Sequence, residues 1–520
     1  MSKKQNAHLG RRELLRTGGL LSAVSFSKLS AHVLSSPGSP AAENVYTQIG
    51  VRPFINCTAT LTINGGSAMF PEVIAAIAEA SRYHVNLDKL MEAVSPRLAH
   101  LLDVECGIVT AGTAAALTHA TSACLVGTDP EKIQRLPNLD GLKDEVIIPV
   151  ESRNVYDHAV RTLGVRIVEV NSPAELKAAI GPKTAMIYVL GNHFGKAKFD
   201  LKDIAPVARP AGVPILVDAA ADYLIVPNPY IALGADMVAY SGGKIMRGPQ
   251  NAGLLIGRRD LVRAAWANSA PHHSFGRALK VSKESIVGML KTVEIWRSQR
   301  DIKEDFAVWE SWYAVITDQV TRVPGVTTKV QGPIRGGPFP TLQVTWDKTR
   351  ISLTAGELGK QMLAGEPSIM THADGDGNSF TIRPAAMRPG DEKAVAKRLA
   401  DVLSSARGPS KPAPSLAEPA VELSGIWDVD VVYEVGSARH RLFLTVQGNK
   451  VTGFHEGWVY KGYLTGEVDG GRVRLHSSLP ADGNQLSYTF DGIVSGLSMS
   501  GRLQMGEYGT AEWKAQRRQL

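Results

Sequence analysis

Cysteine is scarce: Cys57, Cys106 and Cys124 are the three in 520 residues. Thiols so few and so far apart exclude a disulfide framework and a zinc knuckle, so no metal site is expected and the cysteines read as inert buried groups. Long apolar runs are missing too. No stretch reaches the roughly 18 to 20 apolar residues of a membrane span. A dense basic stripe is also absent. The net charge is +7, but part of it is Lys3, Lys4, Arg11, Arg12 and Arg16, and the rest is scattered along the chain. That pattern is no nucleic-acid footprint, and no nucleic-acid partner is expected. What remains is a globular composition, 44% hydrophobic and 21% charged, at a length that accommodates more than one domain.

The N-terminus reads Gly10-Arg11-Arg12-Glu13-Leu14-Leu15-Arg16. A weakly apolar stretch follows to about Val33, then the small, Pro-containing run Ser35-Ser36-Pro37-Gly38-Ser39-Pro40-Ala41-Ala42. A twin arginine, a modest apolar region and small residues at a cleavage point resemble a Tat export signal over 1–42. The expectation is periplasmic or secreted protein, exported already folded.

From 43 to 407 helical and strand-like segments alternate. Pro71 to Tyr83 carries apolar residues at helical spacing after an initial Pro. Gly112 to Val126 is small and apolar, as a buried helix is. Val146–Pro149, Arg166–Val170, Ala185–Leu190, Pro214–Val217, Met237–Tyr240 and Gly253–Ile256 are continuous apolar runs. Strands covered on both faces of a mostly parallel sheet look like this. The large lobe runs to about 270. A helix over Ser282 to Trp296 leads into a small C-terminal lobe that ends in Asp391–Ser405. Residues 408–420 are a Pro-rich linker. Over 421–518, short strand-like segments such as 442–446, 472–475 and 487–490 alternate with Gly/Asn/Asp turns, which predicts an antiparallel barrel or sandwich.

Three segments carry chemistry. Ala111-Gly112-Thr113-Ala114 opens a helix with small residues, so that backbone N–H groups can approach a phosphate. Ile215-Leu216-Val217-Asp218 ends a buried strand in an acid, where open α/β sheets place their ligand crevice. A carboxylate there needs a partner, and a protonated pyridine nitrogen is one; a helix N-cap is the other reading. In Tyr240-Ser241-Gly242-Gly243-Lys244, a lysine follows a strand through two glycines that bring the backbone close to a ligand. Burial lowers the pKa of such a lysine, as imine formation requires.

An acid ending one strand and a lysine after the next resemble the pyridoxal-phosphate (PLP) enzymes of fold type I. The segments VDAAAD at 217–222, SGGKIMRGPQNAGLLIGR at 241–258 and ALKVSKESIVGML at 278–290 resemble the selenocysteine synthase-like (SelA-like) family. DAAAD and SGGK are closer to its ammonia-lyase branch than to true selenium transferases. The resemblance spans about Val45 to Arg407 and implies an α/β fold with a mostly parallel central sheet and a small C-terminal lobe; separately, Ser424-Gly425-Ile426-Trp427 and Gly509-Thr510-Ala511-Glu512-Trp513 make the appended β domain loosely lipocalin-like. It implies Lys244 as the Schiff-base lysine, Asp218 as the pyridinium partner, and Gly112, Thr113 and Ser241 as the phosphate cup. His158, with Tyr156 second, is the candidate to stack on the cofactor. Arg383 is the candidate for the substrate carboxylate, with an ordinary surface arginine the other reading. Gln250 is the candidate contact from a neighbouring subunit of a homodimer or larger homo-oligomer. The activity implied is α-proton removal from an amino acid or amino-sugar acid followed by β-elimination to ammonia and a keto acid. Transamination, racemisation and a non-catalytic ligand-binding role remain open. The barrel aromatics read as core.

Overall fold

A computed structural model describes residues 43–191, 197–334, 337–408 and 415–519. The expected export signal and the middle of the expected linker lie outside them. Seven strands form the central sheet: β1 (Cys106–Thr110), β2 (Glu145–Pro149), β3 (Arg166–Val170), β4 (Thr184–Leu190), β5 (Ile215–Asp218), β6 (Met237–Ser241) and β7 (Gly253–Gly257). Their order is β1-β7-β6-β5-β4-β2-β3. Pairing is parallel except for β7, which runs against both its neighbours. Strands β1, β2, β5 and β7 are buried at every position. That is why they read as continuous Val/Ile/Leu runs rather than alternating ones. β1 was missed as a strand: Cys106 to Thr110 is too short and too mixed to stand out from the helix before it.

Helix Lys283–Gln299, capped by the Ser282 side chain, leads to the small lobe. There helices Ile302–Val320 and Asp391–Ser405 pack on a three-stranded antiparallel sheet, β8 (Val326–Gln331), β9 (Thr341–Trp346) and β10 (Ser379–Ile382). Two short returns tie this lobe to the N-terminal segment. Ile55–Asn56 pairs with Ile369–Met370, and Thr58 bridges Arg383.

Between Gly425 and Arg517, eight antiparallel strands close into a barrel. Burial alternates along them without a break in Arg472–Ala481. The period of two keeps one set of side chains inside, and closure removes the sheet edges. Trp427, Phe490 and Trp513 are fully buried there, so these aromatics are core. Among the described residues no helix is long and apolar enough to cross a membrane.

Candidate active site

At the carboxyl edge of the sheet, a cavity of about 470 Å³ opens between the large lobe, the 58–62 segment and the small lobe. Asp218, Lys244, Asn154, Tyr156 and Arg383 line it. Asp218 is 3% exposed at the end of β5. Its Oδ1 accepts from the Ala220 N–H at 3.0 Å, and its Oδ2 accepts from the Tyr188 hydroxyl at 2.9 Å. Burial pushes the Asp218 carboxyl pKa up, while the Ala220 N–H, the Lys244 charge and Tyr188 pull it down. Lys244 sits just past β6, where burial lowers its pKa against the raising pull of Asp218 and Asp222. The pair is therefore held in a setting that depresses the lysine and keeps the acid next to a positive charge.

Two glycines beside the lysine do something other than expected. A β-carbon on Gly242 would meet the Met289 sulfur at 2.8 Å and the Ala252 carbonyl at 3.0 Å, and one on Gly243 would strike Gln250. They make room for the protein's own chain, so that the turn carrying Lys244 can fold flat against 249–252, rather than for a ligand. Gln250 packs on Gly243, is exposed, and donates to the Thr62 carbonyl at 3.3 Å within its own chain.

Ser241, Gly112 and Thr113 stand at the same edge but outside the cavity lining. Ser241 is in register with Gly253, which is in register with Thr110. A β-carbon on Gly253 would collide with the Gly112 backbone, so glycine there lets the start of helix Gly112–Val126 close on the sheet. No side chain caps this helix at its N-terminus. The Thr113 hydroxyl oxygen is buried with no hydrogen-bond partner. An uncapped helix start beside an orphaned hydroxyl suits a phosphate. With the acid and the depressed lysine, these residues fit pyridoxal phosphate.

His158 is not at the cavity. It is exposed at the start of the short helix His158–Arg161, and Tyr156 faces the site instead, its ring centroid 5.4 Å from Lys244 Nζ. The reason is local. Val155–Asp157 is a 3₁₀ turn capped by the Asn154 side chain, and at three residues per turn positions 156 and 158 point in different directions. Several site residues escaped the sequence reading. Asn154 donates to the Tyr188 hydroxyl at 3.1 Å and so backs the donor to Asp218. Asp222 accepts from Tyr230. His372 lines the cavity near Arg383; burial and then the Arg383 charge lower its pKa. A tyrosine in the middle of a largely apolar, buried strand, as at Tyr188, was the available signal, because a buried hydroxyl needs a partner.

Residues 153–277 match the family model described as aminotransferase class-V. The chain is 28% identical over 378 residues to the 5'-C-glycyluridine monooxygenase-decarboxylase of a Streptomyces species, across 69% of this chain and 92% of that protein. It is 27% identical over 376 residues to the D-glucosaminate-6-phosphate ammonia lyase of Salmonella typhimurium, across 70% of this chain and 99% of that one. A solved structure of a D-glucosaminate-6-phosphate ammonia-lyase superposes with a TM-score of 0.62 at 26% identity, covering 70% of this chain and 100% of that chain. With that sheet order and a buried acid and lysine on one cavity, the α/β part of this chain is a pyridoxal-phosphate-dependent enzyme of fold type I, similar to proteins of the SelA-like group.

Proposed function

We propose that the protein is a lyase acting on an amino acid or amino-sugar acid, with Lys244 as both the covalent anchor of the cofactor and the base. The observation that carries this reading is the convergence of Lys244 and Asp218 on one cavity. Bound pyridoxal phosphate supplies an electron sink for the pair left at the substrate's α-carbon. The chain's residues supply the rest. Asp218 would hold a proton on the ring nitrogen, and Tyr188 and the Ala220 N–H keep its carboxylate oriented. Thr113 Oγ1 and the uncapped helix start would bind the phosphate, with Ser241 beside them. Tyr156 would cover the ring from the Lys244 side. Arg383 presents a guanidinium for a substrate carboxylate. Lys244, its pKa lowered by burial, takes the α-proton. The β-substituent then leaves with its electron pair, and water releases ammonia and a keto acid. The Salmonella relative is named for ammonia release from an amino-sugar acid phosphate, which supports this class of substrate.

The test is ammonia and keto-acid release across a panel of amino acids and amino-sugar acids, with the cofactor-loaded full chain. Lys244→Ala is expected to lower release by on the order of 10³-fold or more. Normal turnover by that variant would end the mechanism. An amino-group acceptor requirement would move the assignment to transamination, and α-epimer formation without ammonia would move it to racemisation.

A homo-oligomer belongs to the same proposal. Val45, Tyr46, Ile49, Ile63, Tyr83 and Val85 are exposed apolar side chains on the segment that runs past the cavity. Exposed apolar side chains along one segment suit a self-complementary contact. Light scattering should give at least a dimer mass; a monomer at micromolar concentration would remove this part.

A further inference from the structure

The barrel reaches the cavity wall. Its turn Ala481-Asp482-Gly483-Asn484, between strands Arg472–Ala481 and Asn484–Ser495, rests on the 153–161 segment of the large lobe. Gly483 has φ +78°, and a β-carbon on it would lie 2.8 Å from Asn154 N and 2.9 Å from Asn154 O. Asp482, at φ +44°, stands between two arginines. Arg153 Nη2 is 4.0 Å from its Oδ1 and Arg161 Nη1 is 3.9 Å from its Oδ2. Arg161 Nη2 also donates to the Asp482 carbonyl at 3.4 Å. From the barrel side, the Tyr460 hydroxyl donates to the same carboxylate. Within the large lobe, the fully buried Asp157 accepts from Arg153 at 2.6 Å and from Arg161 at 2.8 Å. The arginines are thus fixed by their own lobe and present a preformed seat to the turn.

What the turn touches is the residue that organises one side of the site. Asn154 accepts from the Tyr156 N–H at 2.8 Å and donates to the Ser152 carbonyl at 2.9 Å and to the Tyr188 hydroxyl at 3.1 Å. Tyr156 faces Lys244, and Tyr188 donates to Asp218. One backbone position therefore sets both the ring beside the lysine and the donor to the acid. Half-exposed ion pairs such as those of Asp482 contribute little on their own. The close backbone contact at Gly483 is the specific element.

We propose that the barrel's 481–484 turn is a positioning element of the cofactor site, acting through Asn154 on Tyr156 and Tyr188. The proposal rests on the reading of Lys244 and Asp218 as the cofactor-holding pair. In such a chain the barrel backs the active-site wall from outside the cavity rather than serving as a separate module, because the outer groups need support to hold their geometry.

The test uses the full chain loaded with pyridoxal phosphate. It reads the dissociation constant of the cofactor and the pH midpoint of its visible absorption band, with thermal unfolding in parallel. Gly483→Val should weaken cofactor binding by about tenfold and move the midpoint, because a side chain cannot fit against Asn154. Asp482→Ala should act in the same direction by about threefold, and Asp482→Asn, which also tolerates positive φ, should recover most of that loss. If Gly483→Val does not fold, the Asp482 pair decides. Binding within about twofold of the parent and an unmoved midpoint in the folded variants overturns the proposal, whatever the melting temperature does. A parent chain with no band that Lys244→Ala removes would overturn the site assignment itself, and this proposal with it. A band that depends on Lys244 but ignores 482 and 483 overturns only the positioning role.

Discussion

Two regions of this chain bury ionisable groups, and they do so in opposite ways. In the barrel, His455 is fully buried between Ser477 Oγ, 2.7 Å from its Nδ1, and His440 Nδ1, 2.9 Å from its Nε2. His440 in turn reaches the Tyr433 hydroxyl at 3.5 Å. Each group in that set finds its partner inside the set. At the sheet edge, Asp218 is nearly as deep but faces a cavity of about 470 Å³, and at the same edge, outside that lining, the Thr113 hydroxyl has no hydrogen-bond partner. Burial and a shifted pKa are common to both places, so neither marks function. What separates them is that Asp218 and Lys244 border a space that a ligand can fill, whereas the histidines border only each other and the barrel core.

The sharpest way to break that comparison is at Asp218. Asp218→Asn keeps the shape but loses the charge, and its amide oxygen can accept from only one of the Ala220 N–H and the Tyr188 hydroxyl. If the open cluster is the working one, ammonia release should fall by on the order of 10²-fold, comparable to removing one preorganised electrostatic partner, while the fold persists. The check is turnover together with thermal unfolding of the loaded chain. A variant with near-normal turnover would put this carboxylate back among helix-capping aspartates, the reading its segment alone had left open.

How much of this was legible follows the same division. The ends of β5 and β6 were readable because strands buried on both faces leave an apolar run that stops where the edge begins, with Asp218 and then Ser241 and Lys244 marking the stop. The helix leading into the small lobe was readable, as Ser282 to Trp296 in the sequence and Lys283–Gln299 with its Ser282 cap in the structure. Tyr156 was placed second to His158 because the residue types suggested imidazole, whereas the 3₁₀ turn decides which ring faces inward. Asn154 was invisible, and Tyr188 announced only that its hydroxyl needed a partner, because their roles exist only where β2, β4 and β5 lie side by side. The docking of Asp482 and Gly483 was invisible for a further reason. An Asp-Gly pair between strands announces a tight hairpin turn, but nothing local says what the turn leans on.

The gentler test lies in the closed cluster. Burial, and then His440, push the His455 pKa down to about 3. The folded barrel therefore keeps this ring neutral while the unfolded chain protonates it near pH 6.5. Its contribution to stability is complete above about pH 6.5 and is lost as pH falls from there toward about 3, by at most ~1.4 kcal/mol per pH unit. His455→Leu should cost ~1–3 kcal/mol at pH 7.5, since Ser477 and His440 are left without a partner in a dry interior. That deficit should shrink between pH 6.5 and 5, because the variant no longer takes up the proton on unfolding. Urea unfolding followed by tryptophan emission reads this, with Trp427 and Trp513 buried in the same barrel. Ammonia release per folded molecule should not change, because this cluster is complete in itself and the 481–484 turn is carried by the barrel wall. If instead turnover fell as far as in Asp218→Asn while the barrel stayed folded, the closed cluster would be a second working centre, and the distinction between open and closed burial would fail.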